Sequence, residues 1–120
     1  MKETKTNNPE LIQLIQLLKK ESREKQAAIW LDIAEYLSCS RSRRVAVNLD
    51  KISRNTKRSD TVVVPGKVLG TGNMNHAVTV ASFDASQKAK EKIELAKGTY
   101  VSIPELLANN PKGTNVRIIR

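Results

Sequence analysis

Hydrophobic residues recur along the first third of the chain at the spacing of an α-helix. Leu11, Leu14, Ile15 and Leu18 fall on one stripe within residues 8–24. Asn8 suits the N-cap of that helix, Pro9 its first helical position, and Glu10 the positive end of its dipole. A second helix is predicted over 26–37, with Ile29, Trp30, Ile33, Ala34 and Leu37 on its inner face. A lone indole at this spacing belongs to a core, so Trp30 is read as packing and not as a platform for stacked bases.

After residue 44 the pattern changes. Val45-Ala46-Val47 suits a short strand, and Leu49 and Ile52 can anchor a helical turn behind it. Residues 53–60 read as a polar, basic connector. Thr61-Val62-Val63-Val64 is a β-branched run, predicted to end at Pro65-Gly66. Lys67-Val68-Leu69 and Ala77 to Ala81 are further strands, joined by a loop rich in glycine and side-chain amides, Gly70 to His76. A third helix is predicted over 85–97. Ala85, Ala89, Ile93 and Ala96 share its inner face, while Lys88, Lys90, Lys92, Glu91 and Glu94 take the solvated remainder. Ser86 or Asp84 can cap it, and Gly98 ends it. Ser102-Ile103-Pro104-Glu105 has the form of a capping box opening a short helix to Asn109, and Val116 to Ile119 makes a last strand. The expected class is α/β: a helical N-terminal third packed on irregular layers of short strands and helices. The 120 residues suit one domain, with a helical part at 1–40, a basic segment at 41–60 and a strand/helix part at 61–120.

Charge sharpens this picture. Lys and Arg number 21 against 12 acids, for a net +9, and two-thirds of that excess lies within residues 41–58. That stretch holds Arg41, Arg43, Arg44, Lys51, Arg54, Lys57 and Arg58 against Asp50 alone. Seven cations so weakly compensated repel one another, so the cluster implies a polyanionic partner and not merely a solvated face. Five of the seven are arginine, whose planar fork grips a phosphate through two hydrogen bonds. No apolar run approaches the ~20 residues of a membrane span, and none follows Met1-Lys2-Glu3-Thr4-Lys5 as in a signal peptide.

Candidate catalytic chemistry fails on spacing. One cysteine, Cys39, and one histidine, His76, exclude an internal disulfide and a Cys/His zinc cage. Gly66-Lys67-Val68-Leu69-Gly70-Thr71-Gly72 follows a strand, but its lysine is misplaced for a phosphate loop and no helix comes next. The same defect excludes a dinucleotide fingerprint. His76, Ser82 and Asp84 are a triad only in composition, because a triad is defined by geometry that one stretch of strand cannot supply. Neither an enzyme, a metal site nor a cofactor is expected. Four scattered aromatics argue against modules that stack single-stranded bases, and no recognition helix over a tight turn is evident. Arginine- and lysine-based recognition of folded nucleic acid remains.

The run Arg41-Ser42-Arg43-Arg44-Val45-Ala46-Val47-Asn48-Leu49-Asp50-Lys51-Ile52 resembles the signature of large-subunit ribosomal protein eighteen of archaea and eukaryotes. Thr61 to Gly72, Val78-Thr79-Val80-Ala81, Asn8-Pro9-x-Leu11 and Asn110 to Arg120 resemble the same family. Ser86-x-x-Ala89-x-x-Lys92-Ile93 is similar to a pattern shared with the C-terminal domain of bacterial ribosomal protein fifteen. The chain differs from the usual family pattern in having Ser40 for a proline, Ala85 for a phenylalanine with Phe83 two residues earlier, and Lys97-Gly98 for a Gly-Gly pair.

The resemblance covers nearly the whole chain and its length is like that of the archaeal form. It implies a non-catalytic constituent of the large ribosomal subunit in the cytoplasm, with 23S-type ribosomal RNA and neighbouring ribosomal proteins as partners and no membrane or small-molecule substrate. Arg41, Arg43, Arg44, Lys51 and Arg54 are the first candidates for RNA contact, with Asn48 beside them. Lys67 and the loop holding Gly70, Gly72, Asn73 and Asn75 come next: amides to reach sugars or base edges, glycines to let the backbone approach closely. Lys57, Arg58, Lys112, Arg117 and Arg120 complete the set. A DNA-binding or regulatory protein outside the ribosome is the alternative, and it requires dimerisation and a preference for duplex DNA.

Overall fold

A computed structural model describes residues 9–38, 45–113 and 115–120. Among them are five helices and five strands: α1 (Pro9–Lys25), α2 (Ala28–Leu37), β1 (Val45–Asn48), α3 (Leu49–Arg54), β2 (Thr61–Leu69), β3 (Thr79–Ala85), α4 (Gln87–Leu95), β4 (Thr99–Ser102), α5 (Ile103–Asn109) and β5 (Val116–Ile118). The α/β class is as expected. The chain divides into two compact units, one drawn from Met1–Arg44 with Pro104–Thr114, the other from Val45–Ile103 with Asn115–Arg120. The helical unit is therefore discontinuous in sequence.

In the helical unit, the predicted stripe of Leu11, Leu14, Ile15 and Leu18 is buried on α1, and Trp30, Ile33, Ala34 and Leu37 are buried on α2. The second helix begins two residues later than predicted, because Gln26 takes a left-handed conformation (φ 52°). The backbone N–H of Ala27 then reaches the carbonyl of Ser22 at 3.1 Å, a bond that closes the end of α1. Asn8 lies outside the described residues. Trp30 is fully buried, and its Nε1–H donates to the carbonyl of Pro111 at 2.7 Å. The indole is thus a core group with its one polar atom satisfied, as the spacing implied.

The second unit is a parallel sheet. β3 and β4 extend it from one edge of β2, while β5 and β1 share the other edge in tandem. β5 pairs with Thr61–Val63, and β1 pairs with Gly66–Leu69. The strand predicted to stop at Pro65-Gly66 instead runs through to Leu69. Proline is tolerated because it sits where one partner strand has ended and the next has not begun. The register against β3 also slips between Val64 and Lys67, so no ladder bond is asked of the missing N–H. The layers are therefore more regular than expected.

Val62, Val64 and Val68 of β2 pack with Val47, Leu49, Ile52, Val80, Ala85, Ala89 and Ile93 in one apolar cluster. Ser86 caps α4, its Oγ accepting from the N–H of Ala89 at 3.2 Å. α4 is shorter than the predicted 85–97, because Ala85 belongs to β3 and the helix closes beyond Leu95. Strand β4 went unpredicted: four residues, Thr99-Tyr100-Val101-Ser102, carry too little periodicity to be seen alone.

Candidate nucleic-acid interface

Parallel neighbours need a connection that returns the chain to the starting edge of the sheet. α3 serves that purpose between β1 and β2, and α4 between β3 and β4. Between β2 and β3 there is no helix. Thr79 lies beside Thr61, so residues 70–78 must travel back along the whole of β2, ~26 Å at ~3.3 Å per residue. Ten backbone steps reach at most ~33–36 Å, which leaves little slack. The glycine- and amide-rich segment is thus a stretched crossover and not a strand-to-strand turn.

This crossover runs beside residues 50–59 in the same direction, and the two segments are bonded along their length. The N–H of Asp50 donates to the carbonyl of Thr71 (3.3 Å), the N–H of Asn75 to the Oγ of Ser53 (3.2 Å), and the N–H of Ser59 to the carbonyl of Ala77 (2.7 Å). Thr56 Oγ1 gives its proton to the carbonyl of Ile52 at 2.7 Å. Its contact with His76 Nε2 at 2.8 Å is therefore made with Nε2–H as donor. Met74 packs against the apolar cluster, while Asn73 and Asn75 on either side of it are exposed.

Cations line the neighbouring segment. Lys51, Arg54, Lys57 and Arg58 are all exposed. Arg54 meets Asp50 at 3.6 Å, one turn back on α3, but both side chains remain open to water, where such a pair holds weakly. Asp60 accepts from the backbone N–H of Lys57 at 2.8 Å, which shapes the turn presenting Lys57 and Arg58. Arg117 Nη1 donates to the carbonyl of Asn55 at 3.0 Å, and Lys51 Nζ to the carbonyl of Arg120. These bonds bring Arg117 and Arg120 onto the same surface, although more than sixty residues separate them from their partners in the chain. Asn48 is exposed at the N-cap of α3, and its side chain makes no capping bond.

The remaining predicted residues are placed differently. Lys67 is exposed on β2 between Ala46 and Asp84, its register partners. Lys112 belongs to the helical unit. Arg41, Arg43 and Arg44 lie outside the described residues. The close approach that Gly70 and Gly72 allow is made within the chain. A Cβ on Gly70 would press on the side chain of Lys88, and one on Gly72 would overlap Asp50.

Lys92, read from sequence as solvated, is half-buried and donates from Nζ to the carbonyls of Gly70 (2.8 Å) and Gly72 (2.7 Å). Its membership of the Ser86-x-x-Ala89-x-x-Lys92-Ile93 pattern was the available signal. His76 is bonded to Thr56, apart from Ser82, which meets Asp84 through its backbone carbonyl. Ser82 Oγ donates to the carbonyl of Asp84 (2.7 Å), which leaves it to accept from the hydroxyl of Tyr100 (2.8 Å).

A parallel sheet whose connections carry exposed cations and side-chain amides defines a small basic α/β protein. All 120 residues match the family described as "Ribosomal protein 60S L18 and 50S L18e", and the chain belongs to that family. It is 49% identical over 116 residues to the large ribosomal subunit protein eL18 of Methanosphaerula palustris, covering 97% of this chain and 96% of the relative. The eL18 protein of Methanothermobacter thermautotrophicus is 46% identical over 116 residues, covering 97% and 95%. That of Methanococcus maripaludis is 44% identical over 119 residues, covering 99% of each chain.

Proposed function

We propose that this protein is a structural, non-catalytic constituent of the large ribosomal subunit in the cytoplasm, and that it binds 23S-type ribosomal RNA. Neighbouring large-subunit proteins are its other partners. The observation that carries the reading is the pairing of two crossovers. Residues 50–59 and 70–77 lie side by side, so Lys51, Arg54, Lys57 and Arg58 stand on a surface shared with Asn73 and Asn75.

Cations neutralise phosphates without reading sequence, whereas exposed amides bond sugar hydroxyls and base edges, and RNA recognition uses both. Arg41, Arg43 and Arg44 precede β1 directly and extend the cationic segment in sequence. Membership of a ribosomal protein family, with relatives named as large-subunit proteins, supports the same reading.

Sedimentation of a source-cell lysate, with detection of this chain at low and at moderately high salt, tests it. Migration with the large subunit at both salts is expected. Release into light fractions at low salt overturns the ribosomal assignment and favours a DNA-binding or regulatory role outside the ribosome.

A further inference from the structure

We infer that Lys92 is a positioning residue, which holds the 70–76 crossover in the form that meets RNA. The inference rests on the reading of this surface as the RNA interface. Lys92 sits on α4, which flanks the crossover at Gly70, and directs two of its three N–H donors to the carbonyls of Gly70 and Gly72. Ammonium-to-carbonyl bonds of this length are charge-assisted and strong. Two carbonyls aimed at one nitrogen fix the Gly70–Thr71 and Gly72–Asn73 peptide planes, and so set the direction in which the chain leaves Gly72. Asn73 follows at once, and Met74 then packs against the apolar cluster.

Asn73 is thus held between an electrostatic pin and an apolar one. From the α3 side, the N–H of Asp50 reaches the carbonyl of Thr71, which leaves the carbonyls of Gly70 and Gly72 to Lys92. With its donors turned inward, Lys92 is also a poor candidate for gripping phosphate itself, in contrast to the exposed Lys51 and Lys57. Its contribution to binding is preorganisation, which spares the complex the cost of ordering the crossover.

The test uses Lys92→Met in the full chain, with two readouts: amide exchange in the free protein at Asp50 and Asn75, whose N–H groups bond across the seam to Thr71 and Ser53, and affinity for a 23S-type rRNA fragment across a salt series. Exchange at these two amides is expected to rise ~10-fold while β2 and β3 keep their protection. Affinity is expected to fall ~10-fold at every salt, with the salt slope unchanged because every phosphate keeps its cation. A slope reduced by ~0.7–0.9 makes Lys92 a direct phosphate ligand and overturns the proposal. Unchanged exchange overturns it, as does a loosened crossover that binds RNA as tightly as before.

Should Lys92→Met fail to fold, Lys92→Arg keeps the charge while altering the geometry, and exchange and affinity must still change together. Failure of the interface reading itself is distinguishable. In that case Ala substitution of Arg54, Lys57 and Arg58 leaves RNA affinity unchanged, whatever Lys92→Met does to the crossover.

Discussion

Gly72 lies against the backbone of Asp50 with no room for a side chain between them, and it takes a φ of 87° to do so. One residue therefore sets how closely the crossover after β2 approaches α3. The cations of α3 and the amides of the crossover form one surface because that approach is possible.

Gly72→Ala is expected to destabilise the protein by about 2–4 kcal/mol, combining the left-handed backbone penalty with overlap at Asp50. Urea unfolding measures it. A loss of only about 1 kcal/mol, the backbone penalty alone, shows that α3 moves aside freely, and would falsify the account of a rigid seam between Gly72 and Asp50.

Trp30 separates packing from hydrogen bonding. Trp30→Ala is expected to cost ~3–5 kcal/mol, and Trp30→Phe less, since it keeps most of the apolar volume but leaves the Pro111 carbonyl without its donor. Thermal or urea melts of both variants check this. RNA affinity of the folded Trp30→Phe protein should equal that of the parent; weakened binding with normal stability would instead make the indole a stacking platform.

At the end of α4 the N–H groups of Lys97 and Gly98 return to the carbonyls of Glu94 and Ile93, both at 2.9 Å, and Lys97 is left-handed (φ 66°). This is the helix-closing position that glycine fills most cheaply. Lys97→Gly is expected to stabilise by ~0.5–1 kcal/mol, the relief of strain exceeding the greater freedom of glycine in the unfolded chain. A lower melting temperature for Lys97→Gly contradicts this account of the turn.

Replacing Arg54, Lys57 and Arg58 together by Ala should leave stability nearly unchanged, because all three are exposed. It should flatten the salt dependence of RNA binding by roughly 0.7–0.9 for each phosphate left without its cation. The same reduction is expected for Arg41, Arg43 and Arg44. A triple variant whose slope matches the parent's removes those side chains from the interface.

Much of this was legible from residue order. The stripe from Leu11 to Leu18, the inward Trp30, the Ser86 cap and the concentration of cations at 41–58 are all local facts. Periodicity tells which side of a helix is apolar, a cap is read within four residues, and net charge needs no geometry. Family membership was equally legible, since long runs such as Thr61 to Gly72 identify a relative without any fold.

Tertiary structure alone decided the rest. Pro65 sits inside β2 because β5 and β1 divide one edge of that strand, and these partners lie on opposite sides of it in sequence. The segment after Gly70 is a stretched crossover because β3 pairs with β2 in parallel, a choice that local residues do not make. Lys92 turns inward while Lys88 stays exposed on the same helix, for Lys92 finds two carbonyls within reach. Sequence records which groups are charged and which are apolar. Which charged group meets which backbone is set by strand pairing between distant residues.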